Sequence, residues 1–187
     1  MKFSMKKVTV LLADGFEEIE ALTVVDLLRR AKVYVDTVSI TDDYTVRGAH
    51  GIPVQTEDLI TEIDFKESDM IVLPGGMPGT TNLKEDENVR KAVQEAYDDG
   101  RYVAAICAAP TILADMGLLK GKRATCYPGI ESEIEDAYLT GAPVATDENI
   151  ITSQGVGTAI DFALKLIEVL ISEEKAVEIA DSIVYQR

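Results

Sequence analysis

The chain has no tryptophan, a single histidine and two cysteines among its 187 residues. Two cysteines, Cys107 and Cys126, are too few for a disulfide framework and suit a reducing compartment, so a cytoplasmic location is expected. One histidine excludes zinc sites built from several imidazoles and the H-E-x-x-H pattern, and no metal is expected. Any histidine-dependent triad would have to use His50. Cations are scarce as well: 18 Lys and Arg stand against 33 Asp and Glu, a formal net charge of −15. A chain this acidic is repelled by nucleic acid and by anionic lipid surfaces, so neither is expected as a partner. No apolar run approaches the roughly 20 residues of a membrane-spanning helix. The basic start, Met1 to Lys7, leads into a short apolar run, Val8 to Leu12, and then to Asp14 with no small-residue cleavage site. That reads as a strand and not as a signal peptide. Repeats, linkers and low-complexity tracts are absent, so one domain over residues 1–187 is expected.

What is present is a hydrophobic pattern that switches repeatedly between strand and helix periods. Strands are expected at Val8 to Ala13, Val33 to Ile40, Met70 to Pro74 and Tyr102 to Ile106. Shorter ones are expected at Ala124 to Cys126, Pro143 to Thr146 and Ile150 to Thr152. Helical spacing runs over Ile19 to Arg30, Asn88 to Tyr97, the stretch up to about Met116, Thr158 to Ser172 and Glu174 to Ile183. Continuous Val/Ile/Leu strands alternating with helices predict an α/β fold with a mostly parallel central sheet covered on both faces. The segment Asp42 to Glu62, with Gly48, Gly51 and Pro53, predicts a small hairpin or irregular excursion. Ligands in such sheets bind beyond the carboxyl ends of the strands, so the residues after each strand carry the functional argument.

After the first strand comes Asp14-Gly15-Phe16-Glu17-Glu18-Ile19-Glu20. The helical neighbours of Glu20 at i+4, i+7 and i+11 are Val24, Leu27 and Ala31, so Glu20 is expected to point into the protein. A buried carboxyl holds its proton, because desolvation penalises the charged form. Glu17 and Glu18 are expected to reach water. After Ile71 comes Pro74-Gly75-Gly76-Met77-Pro78-Gly79, where Gly75 and Gly76 let backbone N–H groups approach a ligand or simply form a turn. After Tyr102 comes Ala105-Ile106-Cys107-Ala108-Ala109-Pro110. Small residues two before and two after Cys107 meet the steric demand of a nucleophile elbow, and Pro110 suits the first turn of a helix. Cys107 at that helix start is expected to favour thiolate. Cys126 and Tyr127 follow a short strand; Cys126 reads as core, while Tyr127 has a hydroxyl to donate at the site. Ser153 to Thr158 precedes a helix and offers a weak phosphate site that lacks the third glycine of a dinucleotide fingerprint. His50 lies in the irregular excursion, where most histidines are solvated.

Taken in order, these motifs, with Val25-Asp26-Leu27-Leu28-Arg29-Arg30-Ala31 and Leu73-Pro74-Gly75-Gly76, resemble the ThiJ/PfpI superfamily. Within it they are similar to the branch of the Parkinson-disease-linked protein deglycase and its bacterial relatives. The resemblance runs from about Lys6 to about Leu170. It implies a three-layer flavodoxin-like sandwich and a homodimer. It implies that Cys107 is the reactive cysteine, that the protonated carboxyl of Glu20 hydrogen-bonds its sulfur, and that the N–H groups of Gly76 and Ala108 form an oxyanion pocket. Three departures matter. Tyr127 stands where close relatives of the deglycase keep a histidine, and a phenol is a poor base near neutral pH, ionising only near pH ~10. Ala108 stands where PfpI-type proteases carry a histidine, and the Cys-His-Glu triad of the amidotransferases has no matching histidine; both activities are set aside. Lys32 replaces the glycine usual after the Arg-Arg-Ala run, which reads as a surface change.

The implied function is cofactor-free chemistry on a small carbonyl such as methylglyoxal, giving lactate, with Cys107 as nucleophile and Glu20 as acid and base. The alternative is a redox sensor or protective stress protein in which Cys107 is oxidised to sulfinate. The matching family segment places His50 near the dimer interface, so an approach to the partner's site is a further expectation.

Overall fold

The computed structural model describes residues 5–186, so Met1 to Ser4 of the basic start and Arg187 lie outside the described residues. The run that opens the apolar pattern forms β1 (Lys7–Leu12), and α1 (Glu18–Arg30), β2 (Tyr34–Ser39), β3 (Thr45–Arg47), β4 (Pro53–Gln55), β5 (Asp58–Leu59) and β6 (Met70–Leu73) follow. Next come α2 (Gly79–Glu85), α3 (Glu87–Asp98), β7 (Tyr102–Ile106), α4 (Pro110–Asp115), β8 (Arg123–Ala124) and β9 (Tyr138–Leu139). The chain continues through β10 (Val144–Asp147), β11 (Ile150–Ser153), α5 (Ala159–Leu170) and α6 (Glu173–Ser182). Seven strands form one sheet in the order β10-β11-β7-β6-β1-β2-β5. All its pairings are parallel except β10 with β11.

The period of two along β1 sorts its side chains between two core layers. Val8, Val10 and Leu12 pack with Val24 and Leu28 of α1 and with Phe162 and Leu166 of α5. Leu11 packs on the other face with Val89 and Val93 of α3 and Ile112 of α4. The result is the expected three-layer sandwich, with the ends of β1, β6, β7 and β11 at one edge of the sheet. The excursion is a hairpin of β3 on β4, and its continuation β5 adds a parallel edge strand to β2.

Two differences from the sequence reading have physical causes. Helix α2 was not expected, because its Gly-Thr-Thr-Asn start lacks helical apolar spacing and its largest buried side chain is Leu83. Lys32 is exposed, as expected, but is more than a surface change. It follows α1 with φ at 64°, and the bonds Lys32 N–H to Arg29 O and Val33 N–H to Leu28 O close the helix end as a Schellman motif. Lysine occupies the position where glycine is favoured.

Candidate active site

Three strand ends meet at Cys107. Strand β7 ends at Ile106, and the chain turns at Cys107 with φ at 67°, which is uncommon outside glycine. Ala105 and Ala109 are fully buried on either side, so larger side chains have no room in the turn. The Cys107 N–H donates to Ser153 O at 2.9 Å, and the Tyr127 N–H donates to Cys107 O at 2.9 Å. The cysteine is therefore tied to the end of β11 and to the segment after β8. This is a nucleophile elbow: a left-handed strand-to-helix turn with the thiol half-buried in a cleft.

Glu20 is fully buried, as the spacing of α1 predicts. Its backbone N–H is capped by the Glu17 carboxylate at 2.8 Å, and its own Oε2 accepts the Gly75 N–H at 2.9 Å. Glu20 Oε1 has no hydrogen-bond partner and faces Gly155. Gly75 leaves the space in which thiol and carboxyl meet: a Cβ there would lie 2.7 Å from Glu20 Oε2 and 3.0 Å from Cys107 Sγ. Gly76, with φ at 92°, comes so close to α1 that a Cβ would lie 2.4 Å from the Glu17 nitrogen. The backbone N–H groups of Gly76 and Ala108 act on the Cys107 thiol and favour its charged form.

Burial raises the Glu20 carboxyl to about 7, against the hydrogen bonds from Cys107 and Gly75 that favour its charged form. Burial and the neighbouring Glu20 charge push the Cys107 thiol up to about 12, while the N–H groups of Ala108 and Gly76 pull it down. Burial and the Glu20 charge thus oppose the thiolate expected at this helix start, and α4, with six residues, has only a short dipole to favour it. Each charge suppresses the other, so the pair titrates as a unit. A proton on Glu20 removes the charge that opposes a thiolate and supplies a donor to it.

A cleft of about 460 Å³ opens on this pair, lined by Glu17, Glu20, His50, Cys107, Tyr127 and the loop after β11. A second groove of about 770 Å³ shares Gly76, Cys107 and Tyr127 and runs towards Lys84 and Asp115.

A model of the DJ-1/PfpI family matches residues 6–169. The chain belongs to that family. DJ-1 homolog B of Arabidopsis thaliana is 39% identical over 186 residues, covering 98% of this chain but 42% of that protein. The chain thus spans less than half the length of that relative. The glutathione-independent glyoxalase DJ-1 of Schizosaccharomyces pombe is 34% identical over 182 residues, 91% of this chain and 94% of the relative. Oxidized DJ-1 of Toxoplasma gondii has the same fold, with a TM-score of 0.93 and 36% identity, covering 97% of this chain and 100% of the other.

The sequence-derived residues fall into three groups around this family centre. Cys107, Glu20, Gly75, Gly76 and Ala108 come together, and half-exposed Tyr127 joins them at the cleft wall. Cys126 does not: it is buried with Leu119 and Ile134 in the layer opposite the one Cys107 packs against. His50 lines the cleft of its own chain, so no partner is needed to bring it near a site.

Glu17 and Glu18 are buried, at 8% and 4% exposure, contrary to the expectation that they reach water. The loop after β3 covers them, and Glu18 binds the His50 backbone and ring, each at 2.7 Å. Among the described residues, the ligand atoms of Glu17, Glu18 and His50 have metal-like spacing, within 4.8 Å of one another. Hydrogen bonds already occupy both oxygens of Glu18 and Oε2 of Glu17, which explains the cluster without an ion. The weak phosphate site at Ser153 to Thr158 is closed from within: Thr158 Oγ1 accepts the Gly155 N–H at 3.1 Å and pairs with Ser153 Oγ at 2.7 Å.

Proposed function

We propose that the chain is a cofactor-independent, cysteine-dependent enzyme acting on small reactive carbonyls, converting methylglyoxal to lactate. The observation that carries this reading is the buried Glu20 carboxyl beside one half-buried sulfur, in the space that Gly75 leaves, at an open cleft that Gly76 also lines. The Cys107 sulfur adds to the aldehyde carbon as its own proton passes to Glu20, and Glu20 gives a proton to the new alkoxide. Glu20 then carries a proton from the former aldehyde carbon to the neighbouring one, which leaves a lactoyl thioester. Its buried Oε1 has no hydrogen-bond partner in the protein, which leaves it able to accept a proton from a bound substrate. Gly76 and Ala108 hold the oxyanion. The glyoxalase name of the fission-yeast relative supports the substrate class. The test is consumption of methylglyoxal without glutathione, which wild type should carry out and Cys107→Ser should not.

The reading includes a homodimer. Ile19 and Leu22 share one face of α1 at 53% and 37% exposure, and exposed Ile52 stands beside them through its N–H bond to Glu18. A second reading, oxidation of Cys107 to sulfinate stabilised by the Glu20 O–H, draws support from the oxidized relative of the same fold.

A further inference from the structure

The Cys107–Glu20 pair accounts for forming and rearranging an adduct, but release of product needs an activated water. Glu20 is sealed from solvent, so water must enter past the rim of the cleft. The imidazole of His50, 69% exposed, lines that cleft, and of the other titratable side chains there beside the reacting pair Glu17 is buried and Tyr127 is a phenol, a poor base near neutral pH.

Its setting is built. Glu18 Oε1 accepts the His50 backbone N–H at 2.7 Å and the Ile52 N–H at 3.5 Å, which fixes the loop. Glu18 Oε2 lies 2.7 Å from His50 Nδ1. Gly48 packs so closely that a Cβ there would lie 2.3 Å from the Glu18 carboxylate, leaving it no freedom to swing away. A carboxylate only accepts, so Nδ1 carries the ring proton and Nε2 keeps its lone pair. The buried carboxylate thus selects the tautomer that is basic at the free nitrogen.

We propose that His50, oriented by Glu18, is the general base that activates the water cleaving the Cys107 thioester. The inference rests on the glyoxalase reading and deepens it. In this step the water oxygen bonds to the thioester carbonyl carbon, its proton passes to His50 Nε2, and the C–S bond breaks with sulfur leaving as thiolate. Lactate departs and His50 returns its proton to solvent. No oxidant is consumed, because one substrate carbon was oxidised and its neighbour reduced in the preceding rearrangement. The charged groups around the ring are Glu18 of α1, Glu17 at its N-cap, with Oε1 3.7 Å from Nδ1, and Arg47 of β3, which binds Gly51 O at 2.8 Å. The Glu18 hydrogen bond holds the imidazole above its ordinary pKa. The base is the neutral ring, so product release should quicken as pH rises through that titration.

The experiment pairs intact-protein mass with a lactate assay on wild type, His50→Gln, His50→Ala and Glu18→Gln, using methylglyoxal alone. His50→Gln should form the Cys107 adduct at the wild-type rate yet release lactate about 100-fold more slowly, so the adduct accumulates. Added imidazole should restore release in His50→Ala, which a merely structural role for the ring would not allow. Should His50→Gln lose its fold by circular dichroism, Glu18→Gln carries the same test with the ring retained. Equal lactate rates in wild type and a folded His50→Gln would overturn this proposal alone. Wild type that forms neither adduct nor lactate would overturn the glyoxalase reading, and this one with it.

Discussion

Glu20 is buried beside Cys107, and burying a carboxyl has a cost that pH exposes. Burial raises the Glu20 carboxyl from 4.5 to about 7, so the folded protein binds this proton more tightly than the unfolded chain does. Stability should therefore fall as pH climbs from about 4.5 to about 7 and level off above. Glu20→Gln removes the titration and should be the more stable protein at pH ~8, by up to about 3 kcal/mol. Denaturant unfolding across that pH range checks it, and a wild-type profile parallel to that of Glu20→Gln would contradict a buried carboxyl. Glu20 was legible in the sequence because Val24, Leu27 and Ala31, at helical spacing from it, mark the buried face on which it lies. Glu17 and Glu18 were not, because what covers them is a loop about thirty residues away that no local period announces. The thiol is legible only in part for a similar reason: the short helix start is visible in sequence, whereas the desolvation that opposes its charge comes from tertiary packing.

At the scale of elements, the end of α1 is the informative place. Its Schellman closure demands a left-handed residue, and lysine supplies one at a steric cost that glycine lacks. Lys32→Gly should raise stability by about 1 kcal/mol, read as a higher Tm in a thermal melt with unchanged secondary structure. An unchanged or lower Tm would mean that lysine is relaxed there. The main strands and long helices were readable because period and length agree in them. Helix α2 was hidden by its Gly/Thr/Asn start, since it forms where β6 delivers the chain and not from its own pattern. The Gly75-Gly76 turn reads as an ordinary loop until its contacts are known. Both glycines are then seen to keep α1 and the elbow close enough for carboxyl and thiol to meet.

For the molecule as a whole, the net charge of −15 disfavours anionic partners and leaves a neutral dicarbonyl an unhindered approach to the cleft. The exposed Ile19, Leu22 and Ile52 lie beside Glu18, which holds the cleft-lining His50, so a dimer on this face would bring two clefts near one interface. Light scattering at micromolar concentration should give the mass of a dimer for wild type and of a monomer for an Ile19→Asp, Leu22→Asp double variant. A wild-type monomer would remove the homodimer from the account.

The central claim is that one sulfur, one buried carboxyl and two backbone N–H groups carry a dicarbonyl to the hydroxy-acid level as an adduct on Cys107. Its most direct test is lactate formation from methylglyoxal by wild type, Cys107→Ser and Glu20→Gln, with glutathione left out. The account predicts lactate from wild type, none from Cys107→Ser, and a loss of at least about 100-fold in Glu20→Gln. Lactate from wild type no faster than from Cys107→Ser would contradict it and leave oxidation of Cys107 as the better use of the same site.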